Sequence, residues 1–304
     1  MSGAGGGVSD PAGPGGRRFV GSGQLPGRVD GHQHVRVTTP VPSGTPLPKP
    51  TPPTDPLPPD SPPTAVLPLA VTGPTAAPPP GRRLAAELVG TALLAVVVVG
   101  SGRQADALTS DAGLRFLADV GASAAALTVL ITLFGPVSGG HLNPLITAGA
   151  WWTGRGTPAG LPLREAVGYA VAQTVGAVAG TGLADAMFGH PAFRPSALPR
   201  GSGALWLGET VATGTLLLVG TGATAAGRGR LVPSLVGLWV VAACWATSSG
   251  GFANPAVTLG RALTDGWTGI APGSVPGFVL AQCAGAAAGI GLAALLFDGR
   301  KHAP

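Results

Sequence analysis

A chain of 304 residues that is 45% hydrophobic and only 10% charged cannot clothe a water-facing surface, because soluble domains carry roughly 25% charged residues. Its mean hydropathy of +0.39 and its long apolar windows predict a polytopic membrane protein, and the windows are apolar all round, which excludes a striped soluble bundle. The sequence pI near 10.2 does not predict nucleic-acid binding, because the arginines come in short pairs between apolar windows and form no stripe or face.

Residues 1 to about 80 hold most of the 32 prolines, including PSGTPLPKPTPPTDPLPPDSPP. That composition predicts a disordered tail prone to polyproline II. Arg17 and Arg18 lack a following apolar region, so no cleaved signal peptide is expected, and His32 and His34 read as polar linker. From Arg82 onward six apolar windows run at 84–101, 116–135, 163–185, 204–223, 231–248 and 275–297. Two shorter segments, 143–152 and 254–263, are each only about 15 Å long as helices, half of what a bilayer core requires. Cys244 and Cys283 fall in apolar windows without metal-ligand spacing and read as core residues.

The chain repeats itself. AELVGTALLAVVVVGSG (86–102) matches GETVATGTLLLVGTGA (208–223), aligning Glu87 with Glu209. SGGHLNP (138–144) matches SGGFANP (249–255), and AQTVGAVAGTGLADAMF (172–188) matches AQCAGAAAGIGLAALLF (281–297). Each half holds three spans, an odd number, so the second must be inverted relative to the first. The expected fold is all-α: six transmembrane helices plus two re-entrant half-helices in an inverted repeat. Lys and Arg in the connections (Arg82, Arg83, Arg155, Arg164, Arg228, Arg230, Arg300 and Lys301 against Arg103, Arg115, Arg194, Arg200 and Arg261) place both termini in the cytoplasm by the positive-inside rule.

Asn-Pro suits the start of each half-helix. Pro at the first helical position has its φ preset and needs no N–H. Asn before it caps the first-turn amides, leaving its NH₂ to donate into a cavity. Inversion brings both half-helix N-termini to one point near the midplane. Their positive dipole ends disfavour cations there and leave room for a neutral polar solute.

On these residues the chain resembles the aquaporin, or major intrinsic protein, family over roughly 83–298. The resemblance implies a homotetramer with one pore per protomer, with Asn143-Pro144-Leu145 and Asn254-Pro255-Ala256 as the pore motifs. It implies that Glu87 and Glu209 accept hydrogen bonds from the loops leading to the half-helices, and that His141 lines the pore or fixes its loop. An acidic residue within a span could otherwise relay protons. Gly168, Gly176, Gly180, Gly285 and Gly289 read as helix packing positions.

The sequence departs from the family pattern at two places. Leu145 stands where the family usually has Ala. Val257 stands at the family's filter arginine, and counting from each Asn puts the other filter places at Ser123, Ala242 and Gly251. Four small or apolar residues predict a wide filter without fixed charge. Arg261, four residues after Val257 and on the same helical face, reads as a vestibule or packing residue about 6 Å nearer the outer mouth.

The expected function is a passive channel in the cell membrane for small neutral solutes such as arsenite, glycerol or urea, with water able to leak. Beyond the lipid bilayer and its own copies, no partner, cofactor or metal is expected, and no catalytic constellation is present. A coupled secondary transporter is the alternative. It requires ionisable residues within the spans beyond the two glutamates, and the sequence suggests none. A non-conducting membrane protein with a partner-binding tail is a third reading.

Overall fold

The computed structural model describes residues 78–158 and 160–297. The Pro-rich tail up to residue 77, and the terminal Arg300 and Lys301, lie outside the described residues. Eight α-helices account for most of the described chain: α1 Pro80–Leu108, α2 Ala112–Ser138, α3 Pro144–Gly154, α4 Leu163–Met187, α5 Gly203–Ala225, α6 Val232–Ala246, α7 Pro255–Arg261 and α8 Val275–Phe297. Six of the helical segments are long and apolar enough to cross a membrane, and α3 and α7 are the half-length ones. No strand occurs among the described residues.

Local chemistry sets the helix ends. Asp111 caps α2 by accepting from the Leu114 amide at 2.7 Å, and Gly139 ends the same helix at φ 97, a left-handed stop open to glycine. Ser202 caps α5, and prolines start α1, α3 and α7.

The two halves pack alike. Helix α1 lies on α4 and α2, and α5 lies on α8 and α6. A Cβ added at Gly176 or Gly180 would come within 2.3 Å or 2.1 Å of a carbonyl oxygen of α1. At Gly285 and Gly289 it would come within 2.3 Å and 2.0 Å of carbonyl oxygens of α5. Glycine one turn apart lets each helix pair approach backbone to backbone. Gly168 packs against the Leu84 side chain instead, with 3.1 Å available.

The half-helices lock the halves together. Helix α7 belongs to the second half yet packs most extensively on α4 of the first, while α3 contacts both α4 and α8. The segment after α7 is tied back to the first half. Arg103 donates to Asp185 Oδ1 at 3.0 and 2.7 Å, Thr264 donates to the same oxygen at 2.9 Å, and Trp267 donates to the Gly102 carbonyl at 3.1 Å. Large apolar side chains such as Val129, Leu133, Val171, Leu238, Leu280 and Leu295 point outward, as a surface facing hydrocarbon requires. Cys283 is also exposed on α8, contrary to the core position its apolar window suggests.

Candidate functional site: a pore between two half-helices

Both SGG-x-x-Asn-Pro segments take the same shape. Gly139 and Gly140 have φ of 97 and 59, and Gly250 and Gly251 have φ of 75 and 62, which explains why each half begins the motif with a glycine pair. Leu142 and Ala253, the residues just before the asparagines, also hold positive φ, 53 and 47. A left-handed Leu or Ala is strained, and strain of this kind persists only where the surroundings over-determine it.

The surroundings here are two buried carboxylates. Glu87 accepts from Ser138 Oγ at 2.6 Å, from the His141 and Leu142 amides at 3.0 and 2.7 Å, and from Gln173 Nε2 at 2.7 Å. Glu209 accepts from the Phe252 and Ala253 amides, both at 2.9 Å, and from Gln282 Nε2 at 2.6 Å. The two glutamines are the pair that sequence reasoning missed. Each also donates to the half-helix it stands behind, Gln173 to Thr147 Oγ1 and Gln282 to Thr258 Oγ1. Their signal was present in the matched blocks, where AQTVG and AQCAG align Gln173 with Gln282.

So held, the asparagines meet. Asn143 Oδ1 accepts from the Leu145 amide at 2.9 Å, and Asn254 Oδ1 accepts from the Ala256 and Val257 amides at 3.0 and 3.3 Å. Asn143 Nδ2 donates to the Ala253 carbonyl and Asn254 Nδ2 to the Leu142 carbonyl, each at 2.8 Å. One amide hydrogen of each Asn is thereby used across the repeat. The second hydrogen is left to face the cavity that both residues line.

That cavity measures about 190 Å³. Its wall includes His141, Asn143, Asn254 and, of the expected filter residues, Ser123, Gly251 and Val257. Pro144, Leu145, Pro255 and Ala256 stand behind it. Leu145 packs with Leu217 and Ala286, and Ala256 with Ala95 and Ala177, so the larger side chain of Leu145 is absorbed by the core. His141 Nδ1 lies 3.1 Å from Thr147 Oγ1, and its ring stands edge-on to Tyr169, which Arg83 holds by a 2.8 Å bond.

Two expectations need correction. Ala242 is exposed and does not line the cavity; α6 presents Val232, Val236, Val240 and Cys244 instead. These follow one another at four-residue steps, and residue 242 lies about 200° around the helix from either 240 or 244. The wall is also not free of charge. Asp119, Arg200 and Arg261 all line it, so the cavity wall carries ionisable groups other than Glu87 and Glu209. Asp119 is on α2, Arg261 at the end of α7 and Arg200 in the connection before α5. Val257 itself is 4% exposed and clusters with Leu94, Val98, Leu130 and Leu142. Arg261 folds over the Phe252 ring, with 3.4 Å from guanidinium carbon to centroid, and its Nε donates to the Thr268 carbonyl. Arg200 approaches the same ring at 5.1 Å and donates to the Gly269 and Trp267 carbonyls, each at 2.9 Å. Burial lowers the pKa of Arg200 from its ordinary value and the charge of Glu209 opposes that shift; a guanidinium so placed stays protonated.

Six spans, two half-helices joined N-terminus to N-terminus and a cavity lined by both asparagines define a membrane channel built from inverted halves, not an enzyme. The chain belongs to the major intrinsic protein family. The family match, described as "Major intrinsic protein", covers residues 77–225. An aquaglyceroporin, AqpS of Rhizobium meliloti, is 44% identical over 211 residues, which are 69% of this chain and 88% of that one. Probable aquaporin PIP2-7 of Oryza sativa is 31% identical over 204 residues, 60% of this chain and 68% of that one. The X-ray structure of the aquaglyceroporin from Plasmodium falciparum superposes with a TM-score of 0.56 at 23% identity, covering 70% of this chain and 95% of that chain. That last likeness speaks for the fold.

Proposed function

We propose that the cavity between α3 and α7 is the conduction path of a passive channel for small uncharged solutes larger than water, namely glycerol, urea and neutral metalloid hydroxides such as arsenite, with water leaking through. The observation that carries this reading is Val257. At the place where the family resemblance calls for arginine, a small apolar side chain stands in the cavity wall among Leu94, Val98 and Leu142. Apolar walls with a few placed donors suit a solute with a carbon or metalloid body and polar edges. Kinship with a protein named an aquaglyceroporin supports solutes of the glycerol type. The unit is a homotetramer in the cell membrane with both termini cytoplasmic, and Asn143 and Asn254 supply the central donors.

Light-scattering measurements on proteoliposomes test the proposal. Wild-type vesicles pass glycerol, urea and arsenite down their gradients, and Val257→Arg cuts all three while sparing water more. Solute flux that requires a proton or sodium gradient overturns the passive reading. Flux of every solute unaltered by Val257→Arg overturns the filter assignment.

A further inference from the structure

Asp119 and Arg261 come from opposite halves of the chain and line the same cavity. Asp119 precedes Ser123 by four residues on α2, and Arg261 follows Val257 by four on α7. Helix α2 runs toward the half-helix junction and α7 runs away from it. Both charges therefore lie about 6 Å, one helical turn, beyond the Ser123–Val257 level on the same side. That end of the cavity is also where Arg200 and Trp267 line the wall.

Each charge is almost wholly buried, with Asp119 7% and Arg261 9% exposed, and each is held back by its own wall. Asp119 Oδ1 lies 2.6 Å from Ser101 Oγ. Arg261 is held by the Phe252 ring and the Thr268 carbonyl. The two form no salt bridge, and among the described residues Asp119 Oδ2 and the terminal amino groups of Arg261 have no hydrogen-bond partner. One turn inward, Ser123 lines the same cavity, and its Oγ is buried without a hydrogen-bond partner. Neither Asp119 Oδ2 nor the Arg261 amino groups are sealed from the cavity, and opposite charges kept apart on the wall of one cavity are a preformed place for a ligand that bonds to both.

We propose that Asp119 and Arg261 form a solute-binding layer one turn outside Val257, which takes a neutral molecule carrying both a hydroxyl donor and an oxygen acceptor. A solute hydroxyl donates to Asp119 Oδ2, and an oxygen on the same solute accepts from Arg261. A polyol or a hydroxylated metalloid meets both demands. A simple cation meets only Asp119 and a simple anion only Arg261, each with the other group opposing it, whereas a neutral donor–acceptor solute satisfies both at once without an arginine at 257. Solute entering the mouth exchanges its water hydrogen bonds for two charge-assisted ones.

This layer rests on the channel reading above, and the test separates the two. Asp119→Asn, Arg261→Gln and the double variant are reconstituted in liposomes, and glycerol and water permeabilities are measured on the same vesicles. Each single variant lowers the glycerol-to-water ratio by about tenfold, the loss of one hydrogen bond to a charged group. The double variant falls little further, because a bridging solute needs both ends. Equal falls in both permeabilities, an unmoved ratio, or single effects that multiply in the double variant overturn the layer. Asp119→Asn carries the test if Arg261→Gln does not fold, since the Asn oxygen can still accept from Ser101. Wild-type vesicles that pass neither water nor glycerol overturn the channel reading and this layer together. Vesicles that pass water but not glycerol overturn the layer's preference for hydroxylated solutes.

Discussion

Asn143 and Asn254 are joined by a reciprocal exchange, each donating its side-chain amide at 2.8 Å to the carbonyl of the residue that precedes the other. The accepting residues, Leu142 and Ala253, are the two strained ones. Positive φ turns their carbonyls toward the opposing half, so the strain of each half is what gives the other half's Asn an acceptor. The half-helix junction is thus one unit formed by both repeats.

Asn254→Ala removes a donor from the fully buried Leu142 carbonyl and uncaps α7. An unsatisfied buried carbonyl costs about 1–3 kcal/mol, and loss of the cap adds about 1 kcal/mol. Asn143→Ala does the same to Ala253 and α3, but Asn143 caps one amide where Asn254 caps two. Thermal melting in detergent is expected to fall for both variants and further for Asn254→Ala. Equal stability to wild type in both would show that the exchange contributes nothing.

Glu87→Gln keeps the volume of the side chain but turns one oxygen into a donor. Oε2 now accepts from the Leu142 amide and from Gln173, so an NH₂ there would face two donors. Hydrogen bonds to a charged acceptor contribute about 1.5–3 kcal/mol. The variant is expected to melt well below wild type and to lose solute flux, as the loop before Asn143 loosens. If Glu87 relayed protons instead, Glu87→Gln would keep its stability and lose only a proton current.

Much of this was legible because the chain says it twice. Five of the six windows fall within the long helices and the fifth, 231–248, overruns α6 slightly at both ends, while the SGG-x-x-Asn-Pro repeat marks both half-helices. Glu87 and Glu209 stand out as acids in apolar runs. The misreading of Ala242 has a geometric cause. Counting back from Asn254 passes through the turn between α6 and α7, and an error of two residues rotates a helical side chain by about 200°. Asp119 and Arg261 were obscured for another reason. A single charge in a window does not reveal which face it occupies, and only the crossing of α2 and α7 at one cavity gives the pair a shared meaning.

Two glycines of α8 offer a test of the backbone contact between helices. A Cβ at Gly289 would sit 2.0 Å from the Gly214 carbonyl oxygen, whereas one at Gly291 meets nothing within 4 Å. Gly289→Ala must push α8 from α5, and overpacking of this kind costs about 1–3 kcal/mol. Gly291→Ala leaves the packing intact and gains helix propensity of up to about 1 kcal/mol. The two variants should move the melting temperature in opposite directions. Movement in the same direction would mean that the α5–α8 contact yields without cost.

The ion pair of Arg103 with Asp185 fixes the segment that carries Trp267 to the wall. Asp185 is fully buried and its Oδ1 takes three hydrogen bonds, two from Arg103 and one from Thr264. Asp185→Asn leaves the part-buried guanidinium beside a neutral amide, and breaking a buried pair on one side costs at most about 3–5 kcal/mol. The Trp267 bond to the Gly102 carbonyl weakens with it, so melting and solute selectivity are expected to suffer together. Replacing both partners, Arg103→Met with Asp185→Leu, removes the uncompensated charge and is expected to recover most of the melting temperature. Selectivity should not recover in the double variant, because Thr264 has lost the acceptor that orients its segment. Recovery of both would show that the pair serves stability alone, with the position of Trp267 set by the helices around it.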